Sequence, residues 1–252
     1  MMRLIKADFK KLFFLAKSRH FLLATIFLSI LFGVILLLTI NVTEGRTLTE
    51  LSGIEVVDIT YLGMDVATIM MIIYAALFLS NNITNEAVHF NLAITPNRFK
   101  FFMAKISFVS LLSLFMGLIV LVSLTAVSQI IMSFNSMGRL ELFTQASLLK
   151  MIGSLLMIIV YSLLSATVIF FGQSAAVGIT FSLGLMFLPA LVRMFPEFIG
   201  DILLPIFPET SINVFIDLNN QANNSLLALI ILSIWLIITG AISYRKFKYT
   251  DY

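Results

Sequence analysis

The side chains most often used for metal binding and nucleophilic catalysis are scarce in this 252-residue chain, which has two histidines, His20 and His89, and no cysteine. Zinc needs three or four His, Cys or carboxylate ligands close together, and the sequence holds no HExxH helix. It holds no GxSxG elbow either. Ser174, in the turn Gly172, Gln173, Ser174, has neither histidine near it by position and reads as a linker serine. No GxxxxGK[ST] loop is present to cradle a nucleotide, so the chain is not expected to hydrolyse ATP by itself or to carry a cofactor. Asp65 is the one acid inside a long apolar run. Such acids mark substrate or proton paths, yet one turn from the end of its run Asp65 can also reach lipid headgroups. A formal charge of +3 is too small to point to nucleic acid, and the missing cysteines exclude disulfide frameworks and thiolate sites.

Functional polar groups gather instead in residues 84–105, TNEAVHFNLAITPNRFKFFMAK. Ile83, Ala87, Phe90 and Ile94 recur at helical spacing, with Thr84, Asn85, His89 and Asn91 largely opposite and Glu86 at the border. The pattern predicts a short amphipathic helix over 81–94. Thr95 and Pro96 then read as the N-cap and first residue of a new helix, because Pro lacks the N–H that a first turn leaves unpaired. Arg98, Lys100 and Lys105 follow at its start, placed to meet phosphates or acidic protein.

The elements on either side are apolar enough to decide the class. The chain is 60% hydrophobic and 12% charged, with 24 Phe, 13 Met and a mean hydropathy of +1.06. Residues 21–40 contain fifteen Leu, Ile, Phe or Val in twenty positions, worth about −5 to −9 kcal/mol toward insertion into a bilayer. With a polar segment of twenty residues before it and a run this long, it is expected to be an anchor that stays. Runs at 61–80, 106–132, 151–171, 175–192 and 226–244 also meet the length of a membrane span. The expected fold is therefore all-α, one polytopic domain with six transmembrane helices and both termini on one side.

Basic residues assign that side. Six lie before the first span (Arg3, Lys6, Lys10, Lys11, Lys17, Arg19), three in the second loop and three in the tail (Arg245, Lys246, Lys248), against four on the other face: Arg46, Arg139, Lys150 and Arg193. Both termini are expected to be cytoplasmic. Residues 1–20 predict an amphipathic helix in the inner headgroup region, with Ile5, Phe9, Leu12 and Phe13 toward the apolar side. The linker of Gly172 to Ser174 forces a tight hairpin, and Gly178, Ser182 and Gly184 offer small surfaces for close helix contact. Residues 193–224, dense in Phe and Ile and broken by Pro196, Pro205 and Pro208, predict short re-entrant or interfacial helices on the outer face.

The succession Glu86, Pro96, Arg98, Phe99 and Lys105 resembles the first intracellular loop of type-2 ABC (ATP-binding cassette) exporter permeases. Members often follow that Glu with a Gly, where this chain has Ala87, Val88, His89 and Phe90. The amphipathic start, the short fourth linker and the proline-broken outer segment extend the likeness over the whole chain. The resemblance implies a connecting helix at the N-terminus and a coupling helix at 86–94. Glu86, Ala87, His89, Phe90, Asn91 and Ile94 would dock in a cytosolic ATPase subunit, with Pro96 and Arg98 at the junction to the third span. It implies an outer gate at 195–215, including Phe195, Leu203, Phe207 and Phe215. It also implies a second permease copy or paralogue, a substrate path at their interface, and ATP and Mg bound by the partner ATPase. Within that family, small permeases serve bacterial peptide export and self-protection against antimicrobial peptides, phenol-soluble modulin exporters among them, so the expected cargo is an amphipathic peptide and the expected location the bacterial cytoplasmic membrane. A stand-alone carrier or channel, or a scaffold without transport, are the alternatives.

Overall fold

A computed structural model describes residues 2–40, 42, 45–83, 88, 97–135, 145–216 and 225–250, and all regular elements among them are helical. Helix α1 (Met2–Phe14) and α2 (Ala16–Leu38) meet at an elbow on Leu15, whose extended backbone breaks the helix for one residue. A 3₁₀ turn (Leu48–Glu50) and α3 (Gly53–Tyr61) lead into α4 (Gly63–Ile83). Then come α5 (Arg98–Phe134), α6 (Gln145–Gly172) and α7 (Ala175–Val192). Short helices α8 (Glu197–Leu203) and α9 (Pro208–Ile216) flank a 3₁₀ turn, and α10 (Ser225–Tyr249) closes the chain.

Six helical segments among the described residues are long and apolar enough to cross a membrane, as expected from run length: α2, α3 with α4, α5, α6, α7 and α10. The protein is an all-α, multi-pass membrane protein. The second span is not one uninterrupted helix, because α3 ends in a turn at Leu62 before α4 begins. The third, α5, has 37 residues, about 55 Å at 1.5 Å per residue, so it outreaches a 30 Å hydrocarbon core by roughly 25 Å. Its start lies two residues beyond the expected Pro96. Asn97 is the N-cap, its side chain accepting from the Lys100 N–H at 3.0 Å. Thr95 and Pro96 lie outside the described residues.

α6 forms the centre of the bundle, packed against α4, α5, α7, α9 and α10. Helices approach closely where a side chain is missing. A Cβ on Gly33 of α2 would stand 2.5 Å from the Thr60 carbonyl of α3, and one on Gly63 would collide with the Ser29 carbonyl. Gly178 similarly lies against Ile169 and the Ser165 carbonyl in the α6/α7 hairpin, and Ser182 is buried. Gly184 departs from the expectation of close contact: nothing lies within 4 Å of its Cβ position, because it sits on the exposed side of α7. The hairpin turn places Gln173 in the left-handed region at φ 52°, where a helix end more often has glycine. Gly172 beside it has no room for a side chain, since its Cβ would meet Val177 at 2.6 Å.

The arm made by α8 and its 3₁₀ turn and the arm made by α9 are bent by 83° at Phe207, the shape of a re-entrant pair or a broken span. Thr210 Oγ1 donates to the Leu204 and Phe207 carbonyls at 2.5 and 2.7 Å, closing the bend. Trp235 of α10 donates its indole N–H to the Ile206 carbonyl at 2.8 Å. These bonds satisfy backbone carbonyls where the chain leaves helical geometry.

Candidate functional site

At the end of the bundle where both termini lie, α1 packs against the start of α5. Asp8 interrupts the apolar stripe of α1, one turn from Ile5 and from Leu12, and is buried. Its two carboxylate oxygens accept from Lys105 Nζ at 2.7 and 2.8 Å. The same ammonium donates to Asn82 Oδ1 at 3.3 Å, and the Phe78 and Phe101 rings face it at 5.7 and 5.4 Å. Both charged side chains are 3% exposed. A buried pair holds only when such extra donors, acceptors and ring faces replace water. Lys105 was expected to meet phosphate or an acidic partner; its counter-charge is inside the chain.

Around this junction the α1 stripe divides. Leu12 is buried, Phe9 packs edge-on to Phe108 with centroids 5.0 Å apart, Ile5 is half-buried, and Phe13 is 63% exposed. The helix is thus docked on the bundle by one side while Phe13 faces outward. Arg98, at the first helical position of α5, donates to the carbonyls of Phe247, Lys248 and Thr250 at 3.1, 2.8 and 2.8 Å. The guanidinium thereby complements the negative end of α10, where the last carbonyls of the helix lie. Phe101, Phe102, Phe170, Tyr244 and Phe247 interlock beneath it with centroids 4.7 to 6.4 Å apart.

Of the expected coupling segment, Val88 is helical and fully buried. Glu86, Ala87, His89, Phe90, Asn91, Ile94 and Pro96 lie outside the described residues. Asn82 and Arg98, bracketing that segment, are tied to α5 and α10 respectively by the bonds above. Sequence reasoning missed Asp8; the signal available was an acid at i+3 from one apolar stripe residue and i−4 from the next.

The opposite end is built from ion pairs. Arg46 meets Glu55 at 3.2 Å, Arg193 meets Glu209 at 3.1 Å, and Lys150 pairs with Asp58. A cavity of about 410 Å³ opens there, lined by Asp58, Asp65, Lys150, Ser154, Glu209 and Asn213 along with apolar neighbours. Asp65, in the first turn of α4, is half-buried on its wall. Of the expected gate residues, Phe215 is buried against Gly153, Phe207 is half-buried, and Phe195 and Leu203 are exposed at 58% and 39%. Phe207 packs against the core cluster that holds Ile212 and Leu232.

Ser174 occupies the N-cap position of α7, and His20 Nδ1 lies 2.7 Å from the Ala16 carbonyl inside α2, so neither forms a catalytic arrangement with the other. No group of three or more His, Cys, Asp or Glu suited to a metal occurs among the described residues. Neither the family models nor the curated proteins compared with this chain gave a match.

Proposed function

We propose that this chain is the membrane subunit of a type-2 ABC exporter, driven by a separate cytosolic ATPase and paired with a second permease copy. The observation that carries this reading is the junction of Asp8, Asn82 and Lys105. The loop of residues 84–96 has Asn82 at one root and Lys105 on the helix that follows, and these side chains are bonded to each other and to α1. A force on that loop reaches α1, α4 and α5 together. Arg98 extends the linkage to the end of α10. This is the mechanical connection a permease needs between an ATPase and its spans.

Charge sorting supports cytoplasmic termini. The described basic residues of the far end, Arg46, Lys150 and Arg193, are each paired with an acid, while the terminal end keeps most of the Lys and Arg. The exposed apolar face of α8, with Phe198 76% and Ile202 55% exposed, suits an amphipathic peptide leaving the outer side. The reading is tested by purification of the tagged full chain from its native membrane together with the product of any adjacent P-loop ATPase gene. The ATPase is expected to co-purify, and replacing Glu86 or Arg98 to weaken that complex and export. Undiminished ATPase binding and export after proline substitutions across 81–94 would overturn it.

A second reading, a carrier working alone, is favoured by one feature, the cavity where Asp65 and Glu209 face each other's space. It requires transport by the chain reconstituted without any ATPase, lost in Asp65→Asn.

A further inference from the structure

The elbow between α1 and α2 frames a cavity of about 590 Å³ against the last three turns of α4. Lys11, Lys17, Ser18 and Asn81 supply its polar lining, and Phe14, Phe21, Leu77 and Phe78 its apolar lining. Among the described residues no carboxylate lines it, and the acid on α1, Asp8, is committed to Lys105. Tyr74 reaches the cavity from α4 while only 5% exposed. Its hydroxyl is buried beside Ser18 without a hydrogen bond of good geometry. Such a group calls for an acceptor, because leaving a buried hydroxyl unsatisfied costs about 1 to 3 kcal/mol.

The depth of the cavity is set by its surroundings. It lies at the end of a membrane-spanning helix, α4, and on the other side of the same elbow a second cavity of about 430 Å³ is walled almost wholly by apolar side chains, with Arg19 at its edge. The elbow therefore stands at the boundary between headgroups and acyl chains.

We propose that the α1–α2 elbow cavity is a binding site for an anionic phospholipid. The phosphate sits between Lys11, Lys17 and the Tyr74 hydroxyl, and the first part of an acyl chain runs over Phe21 and Leu77. Two cations beside aromatic side chains, with no carboxylate among the described lining residues, match a molecule whose anionic group is joined directly to hydrocarbon, and basic pockets between membrane helices select such lipids. A bound lipid would brace α1 in its docked position beside the Asp8–Lys105 junction. The inference rests on the multi-pass helical fold and is independent of the exporter reading.

The test is native mass spectrometry of the full chain released from vesicles of equal parts phosphatidylglycerol and phosphatidylcholine. Retained lipid is expected to favour phosphatidylglycerol by about 10-fold or more. The K11Q/K17Q variant is expected to bring that ratio near parity, and Y74F to lower it several-fold. K246Q/K248Q, which removes equal charge from the same end of the molecule, is expected to leave it unchanged, all variants unfolding at the wild-type temperature. An unchanged ratio in K11Q/K17Q, or an equal loss in K246Q/K248Q, overturns the proposal, the latter showing general surface charge. Displacement of the lipid by inorganic phosphate overturns it in favour of a free-anion site, and retention of added amphipathic peptide in place of lipid overturns it in favour of a cargo site.

Discussion

Asp8 and Lys105 pair where neither charge has much water, so their energetic role differs from that of a surface ion pair. Desolvation consumes most of the attraction, and the pair is worth little compared with two well-packed apolar residues. Breaking it is a different matter. Lys105→Met leaves the buried Asp8 carboxylate without its counter-charge, and is expected to cost about 3 to 5 kcal/mol. The double change Asp8→Leu with Lys105→Met is expected to recover most of that loss, and thermal unfolding in detergent measures both. Arg98 acts by another route, holding three carbonyls at the end of α10. Arg98→Gln is expected to cost about 1 to 2 kcal/mol and to speed hydrogen exchange at residues 247–250, with α1 unaffected. These partnerships were not legible in the sequence. Helical periodicity puts Asp8 on the apolar side of α1 and so demands a counter-charge, but nothing local identifies a lysine 97 positions later.

Spans are set by composition over twenty residues, and each of the six expected runs lies within or overlaps a helix of the fold. Where a helix ends depends on a few atoms, and there the sequence was a poorer guide. Asn97 rather than Thr95 caps α5, although both side chains offer an oxygen to the first turn. Small residues pose the same problem, because a glycine is silent about which face of its helix will be crossed. Gly33 and Gly184 make the contrast measurable. Gly33→Leu is expected to push α2 off the Thr60 carbonyl and to cost about 1 to 3 kcal/mol. Gly184→Leu is expected to change unfolding by less than about 0.5 kcal/mol, since its Cβ position is open. The α8/α9 pair was expected from density of Phe and Ile between prolines. Its 83° bend, closed by Thr210, and its anchoring on Trp235 of α10 rest on individual hydrogen bonds and were not readable from the composition of that segment.

At the scale of the molecule, the two ends differ in how charge is handled, with paired ions at one and a basic rim at the other. The absence of cysteine makes the orientation directly testable. Met194→Cys, 84% exposed beyond α7, is expected to react with a membrane-impermeant maleimide in intact cells, whereas Lys248→Cys is expected to react only after permeabilisation. The reverse pattern would invert the proposed topology and with it the coupling loop. The Asp8–Lys105 junction also imposes an order on birth. At 5 to 20 residues per second, Lys105 follows Asp8 out of the ribosome by roughly 5 to 20 s, and the carbonyls held by Arg98 follow it by about 150 residues. Until α5 arrives, α1 has no counter-charge and no groove. Its amphipathic character therefore serves a waiting period, keeping this helix at the membrane surface until the third span is made, and the carbonyls that Arg98 holds arrive only after α10.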